Sequence, residues 1–261
     1  MLMKKITRDD VAQAAERWQR CRQEDLPRLF YAYNDSSDRL RSERVVSYQL
    51  GGKKVETLTK KLSLDKPFNF AVHLGAHSSD LQGPVPDSPA FTLFLEAAVQ
   101  TEKKQAFKCQ ELSWAKNSRF NKRTEDDVTS RRNAIPAASA YLFVQSWLEL
   151  PEVALARPFS ATAHMMGKRV KSYLFTAEES RSILRDIKLS ETKALQIHLG
   201  NGLAVDDHPY SFRPVVEVKG GATKESNKAV SAKTHRLVNE QGIASTILVG
   251  LTRTEFHPNS G

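Results

Sequence analysis

The apolar residues of this chain come in short runs, and their spacing switches between two residues and three to four without settling into a repeat. Alternation marks half-buried strands, and a three-to-four spacing marks one face of a helix. Both patterns occur here, and strands and helices do not alternate regularly as they would in a parallel sheet with crossover helices. The expected class is therefore α+β, with mixed or antiparallel sheets and packed helices. No apolar run approaches the roughly 18 residues of a membrane-spanning helix.

The clearest helix signal covers 7–23. Thr7 precedes Asp10 by three residues, a capping-box spacing, and Val11, Ala14, Ala15, Trp18 and Cys21 then form one apolar face. Thr176 and Glu179 repeat the capping signal ahead of a helix running through Ile187. Val45–Leu50 and Val55–Leu62 flank Gly51-Gly52, which reads as a β-hairpin. A second hairpin is expected from Phe159–His164 and Val170–Phe175, with Lys168 and Arg169 at its turn. Strands are expected at Phe68–Leu74, Ala194–Leu199, Phe212–Lys219 and Ser245–Thr252. Ala90–Gln100 suits either strand or helix, 137–150 is a core element, and a Lys-rich helix is expected from Gly221 to about Gln241.

One local echo is present. Val72-His73-Leu74-Gly75 and Ile197-His198-Leu199-Gly200 each end a strand. The chain reads as one compact domain, or as two closely packed and related halves with a break near 115–135.

Charge supplies the strongest functional hint. The chain has 39 Lys+Arg against 30 Asp+Glu, a formal net charge of +9, and a pI near 9.5. Such an excess favours polyanionic partners, because cationic side chains neutralise phosphates and release condensed counterions. Lys116, Arg119, Lys122 and Arg123 surround Phe120 just after Trp114, and Arg131 and Arg132 extend that stretch. Interleaved cations and rings suit single-stranded nucleic acid. Lys168 and Arg169 form a second cluster, and Lys224, Lys228 and Lys233 a third. The expected function is non-catalytic binding of DNA or RNA through the phosphate backbone, as a component of a larger nucleoprotein assembly and without a cofactor.

Two other classes remain open. Val215-Val216-Glu217-Val218-Lys219 follows Asp206-Asp207 and resembles the core of the PD-(D/E)xK nucleases over these residues. That resemblance implies Mg²⁺ held by Asp207 and Glu217, with Lys219 neutralising charge on the phosphate. The remaining class is a protein-interaction subunit whose basic surface docks an acidic partner. His73 and His77 have no second pair to complete a metal site. Glycine-rich nucleotide loops and serine-hydrolase elbows are absent. Two isolated cysteines, Cys21 and Cys109, and an N-terminal stretch that turns charged at Arg8 fit a reducing, cytoplasmic setting.

Overall fold

The computed structural model describes residues 6–32, 43–77, 88–100, 105–116, 118, 137–159, 169–189, 191–202, 211–221, 237–238 and 243–249. The first part of the chain runs α1 (Arg8–Arg20), α2 (Leu26–Leu29), β1 (Tyr31–Ala32), β2 (Glu43–Arg44), β3 (Ser47–Gly51), α3 (Gly52–Thr59), β4 (Phe68–Ala76), β5 (Phe91–Gln100), β6 (Gln105–Glu111) and β7 (Ser113–Trp114). The second runs α4 (Ala137–Glu149), β8 (Ser172–Leu174), α5 (Ala177–Leu189), β9 (Glu191–His198), β10 (Asn201–Gly202), β11 (Ser211–Phe212), β12 (Val215–Gly221), β13 (Leu237–Val238) and β14 (Ile243–Val249).

The fold is α+β. A four-stranded sheet has the order β6-β5-β4-β8, and a six-stranded sheet the order β13-β14-β12-β9-β3-β7, with every pairing antiparallel. Two short ribbons, β1-β2 and β10-β11, complete the pairing. Among the described residues no helix is long and apolar enough to cross a membrane.

Local chemistry accounts for the helix starts. Thr7 Oγ1 accepts from the Asp10 amide at 3.2 Å, and Asp10 Oδ2 accepts from the Thr7 amide at 2.9 Å. Thr176 and Glu179 make the same reciprocal pair ahead of α5, at 3.2 and 2.7 Å. Each box satisfies amides that have no partner within the helix.

The expected hairpin at Gly51-Gly52 is not formed. Gly51 is extended, with φ −65° and ψ 153°, and Gly52 opens α3. The reason lies in the spacing: Val55, Leu58 and Leu62 recur at helical intervals and are all buried. The Lys-rich helix expected to reach Gln241 also fails at its end, where Leu237–Val238 pairs as β13 with β14. Residues 160–168, the expected first arm and turn of the second hairpin, lie outside the described residues.

The chain folds as two copies of one plan. Trp18 and Phe30 recur as Trp147 and Phe159 at the same separation, and Phe91 and Glu96 recur as Phe212 and Glu217. Arg44-Val45-Val46-Ser47-Tyr48 recurs as Arg169-Val170-Lys171-Ser172-Tyr173, so the His-Leu-Gly echo is one part of a longer repeat. Hydrogen bonds repeat with it. Trp18 Nε1 donates to Val170 O at 2.9 Å, and Trp147 Nε1 to Val45 O at 2.8 Å. The Leu74 amide bonds Lys171 O and the Leu199 amide bonds Val46 O, at 2.9 and 2.7 Å.

These bonds cross between the copies because the copies exchange a strand. β3, from the first copy, pairs with β9 of the second; β8, from the second, pairs with β4 of the first. Each sheet is therefore completed by the other copy. Phe30 and Phe159 stack between them, with centroids 5.2 Å apart and planes 8° apart, inside a buried cluster with Trp18, Trp147, Phe91 and Phe212. Glycine closes each copy against its own helix. A Cβ on Gly75 would lie 2.8 Å from Ala14 Cβ on α1; one on Gly200 would lie 2.3 Å from Arg213 O and 3.2 Å from Phe143 Cβ on α4.

Because each sheet is completed by a strand from the other copy, the copies are expected to unfold together. Chemical denaturation followed by tryptophan fluorescence and by circular dichroism is expected to give one coincident transition. Phe30→Ala and Phe159→Ala should each cost about 3–5 kcal/mol. Two separated transitions would show that each copy is stable alone.

Candidate functional site

Glu217 and Lys219 share a face of β12, as alternation requires, with Lys219 Nζ 3.5 Å from Glu217 Oε2. Glu217 is closed off from solvent at 2% exposure, and the same oxygen lies 3.0 Å from Nε2 of the equally buried His198. The other copy repeats this pair: His73 Nε2 lies 2.6 Å from Glu96 Oε2. In both copies the carboxylate reaches the histidine diagonally across neighbouring strands, since Glu217 faces Gln196 and Glu96 faces Ala71. A carboxylate present in both copies and sealed in one is part of the shared framework. Asp207 lies outside the described residues. Among the described residues no cluster of three His, Cys, Asp or Glu could hold a metal ion.

Of the basic stretches, the structure describes Trp114, Lys116 and Arg169. Trp114 lies on β7, paired with Tyr48 on β3, and Lys116 Nζ sits 5.8 Å from the centre of its ring. Arg169 corrects the expectation of an exposed cation at a turn. It is buried at 6% exposure, and its guanidinium donates to Trp18 O, Gln19 O and Cys21 O at 2.6, 3.1 and 2.6 Å. The charge is spent on the carbonyls that α1 leaves unpaired at its C-terminus. Arg44 does the same for α4, donating to Trp147 O and Leu148 O at 3.0 and 2.7 Å. Arg119, Phe120, Lys122, Arg123, Arg131, Arg132, Lys168, Lys224, Lys228 and Lys233 lie outside the described residues.

Among the described residues, a surface that the motifs did not indicate gathers cations, a carboxylate, an imidazole and an indole. His77 follows β4, anchored by its amide to Ala90 O at 2.9 Å. Its Nε2 lies 3.2 Å from Glu111 Oε1 on β6, and that oxygen also accepts from Thr92 Oγ1 at 3.1 Å. Arg17 Nε donates to Ala76 O at 2.9 Å, which holds its guanidinium beside this pair. Two cavities, of about 360 and 350 Å³, share Lys54, His77 and Glu111 in their walls. The first is completed by Asp10, Gln13 and Arg17, the second by Tyr48, Pro89 and Trp114.

Burial lowers the His77 pKa below its ordinary value; Glu111 opposes that shift and Arg17 adds to it. Burial also raises the Tyr48 phenol well above its ordinary value, with Glu111 adding. Tyr48 instead donates to Phe91 O at 2.5 Å. Burial pushes the Cys109 thiol up to about 12, so it is no nucleophile. The site therefore offers a neutral imidazole held against a carboxylate, between two cations and an indole.

Two outcomes check these assignments. Arg169→Ala should cost about 1–3 kcal/mol, because buried carbonyls lose their donor. Unchanged thermal stability would restore Arg169 as a surface cation. The fold favours neutral His77, so this group stabilises above the unfolded value of about 6.5. That contribution is lost as pH falls through its lowered folded value. The stability gap between the protein and His77→Gln should shrink on acidification below pH ~6.5; a widening gap would mean that the charged form is preferred.

No protein-family model matches this chain, and no curated protein or solved structure matches it either.

Proposed function

We infer that this is a non-catalytic nucleic-acid-binding protein that contacts the phosphate backbone of DNA or RNA and works within a larger nucleoprotein assembly. The observation that carries this reading is a crowd of lysines. Lys108 Nζ on β6 donates to Thr57 O at 2.8 Å, which sets its ammonium by the end of α3 near Lys60 and Lys61, and burial first and then those two charges lower its pKa. Like charges held together raise the free energy of the folded chain, and a bound polyanion relieves that repulsion. Lys60, Lys61 and Lys116 are exposed. Lys54 on α3 and Trp114 on β7 line one cavity together, so cations and an aromatic ring lie within reach of one strand. With a net charge of +9 on the whole chain, the bound phosphates would release counterions and make affinity salt-dependent.

The nuclease reading depends on a carboxylate that can reach a metal ion, and the burial of Glu217 against His198 argues against it. The protein-interaction reading becomes an outcome of the same test.

Labelled single- and double-stranded DNA and RNA, titrated at several salt concentrations with Mg²⁺ or EDTA, test the proposal. Affinity should fall steeply with salt while the substrate stays intact. Replacing Lys60, Lys61 and Lys116 by Ala should flatten the log–log salt slope by about 2 on single strands. No binding at low salt would leave an acidic protein as the partner. Mg²⁺-dependent cutting that is lost in Glu217→Gln would make the protein a nuclease.

A further inference from the structure

We propose that the two cavities meeting at Lys54, His77 and Glu111 hold one nucleotide, with its phosphate on the Arg17–Lys54 side and its base against Trp114. This rests on the nucleic-acid reading above and names the part of the ligand that this site takes.

The first argument is a break in the internal repeat. The copies agree at the tryptophans, the Arg-Val-x-Ser-Tyr segment, the His–Glu pair and the tight glycine. They disagree at these site positions. Arg17 corresponds to Ser146, Lys54 to Glu179 and His77 to Gly202. Glu111, which faces Phe94, corresponds to Val249, which faces Val215. The second-copy residues are committed to the fold: Asn201 Nδ2 donates to Ser146 Oγ at 2.9 Å, and Glu179 caps α5. The plan therefore works without ionisable groups at three of these four positions. In the first copy the same positions carry two cations and an imidazole–carboxylate pair beside open space. Half-buried ionisable groups cost stability, and a fold retains such local inconsistencies where it binds or reacts.

Shape and polarity give the ligand class. Each cavity falls in the range of ligand pockets, roughly 300 Å³ and above. One is walled by Asp10, Gln13 and Arg17; the other is largely apolar, with Pro89, Phe91 and Trp114. The carboxylates are held by the protein, Asp10 by the Thr7 amide and hydroxyl and Glu111 by Thr92 and His77. The Arg17 guanidinium and Lys54 ammonium are thus the groups that offer charge to an incoming anion. A flat apolar body carrying a phosphate on a polar sugar matches an apolar cavity beside a cationic one, with Lys54, His77 and Glu111 in the walls of both.

The test uses the full chain with 5′-mononucleotides, the matching nucleosides and inorganic phosphate, read by calorimetry and tryptophan fluorescence, with a single-stranded oligonucleotide in parallel. The mononucleotide should bind at least tenfold tighter than either fragment. Lys54→Met, which keeps the aliphatic stem, should weaken it about tenfold with thermal stability unchanged. Trp114→Leu should weaken the nucleotide but not phosphate, and Arg185→Ala, at an exposed position of α5 outside both cavities, should alter neither. Binding of nucleotide no tighter than phosphate would reduce the site to an anion site and overturn the proposal. Salt-sensitive oligonucleotide binding without mononucleotide binding, unaffected by Lys54→Met, would also overturn it while leaving the broader reading intact. Absence of both would remove the broader reading too.

Discussion

Two indole hydrogen bonds sit at the centre of this architecture. Trp18 and Trp147 each reach from a helix of one copy to the segment just ahead of the strand that the other copy supplies, at 2.9 and 2.8 Å from the carbonyls of Val170 and Val45. Both indoles are fully buried, so neither N–H has water as an alternative, and losing the acceptor would leave a donor stranded in the core. The residue before each acceptor, Arg169 or Arg44, returns the contact by donating to the carbonyls at the end of the same tryptophan's helix. Helix end and exchanged strand are thereby tied twice in each copy. The stacked Phe30–Phe159 pair fills the space between the ties.

Much of this was legible in the sequence at the level of local pieces. Thr7–Asp10 and Thr176–Glu179 start helices where capping chemistry says they should, and the alternation at Phe68–Leu74 became β4. Gly51-Gly52 would suit a hairpin turn, but the helical spacing of Val55, Leu58 and Leu62 places three apolar side chains in the core and prevails. The repeat was visible only as Val-His-Leu-Gly and Ile-His-Leu-Gly, since its halves tolerate many apolar exchanges. Comparing Arg44–Tyr48 with Arg169–Tyr173 would have exposed it, and would have shown that an arginine ahead of each strand had a structural task.

The site was much less legible. Arg17, Lys54, His77 and Glu111 are far apart in the chain, each looks like an ordinary surface residue, and no fixed spacing connects them. They meet because α1 packs on β4, α3 on β6, and β5 brings Thr92 beside Glu111. Glu217 misled for the opposite reason. Its neighbours, Val216, Val218 and Lys219, mimic a half-exposed metal-binding strand, while its burial is imposed by strands distant in sequence. Local pattern reports which face a residue shares, but the surrounding layers decide whether that face is wet.

Strand exchange also has a consequence during synthesis. The edge of β4 that receives β8 cannot be covered until residues 172–174 have been made, roughly a hundred residues after β4 itself. During that interval a nascent first copy presents unpaired amides at Val72 and Leu74 beside an apolar core, the kind of edge that recruits any matching strand. On a crowded polysome the nearest matching strand is the β3 or β8 of a neighbouring chain. The same geometry that locks the mature molecule thus makes its assembly sensitive to how far apart ribosomes travel and to any chaperone that shields β4.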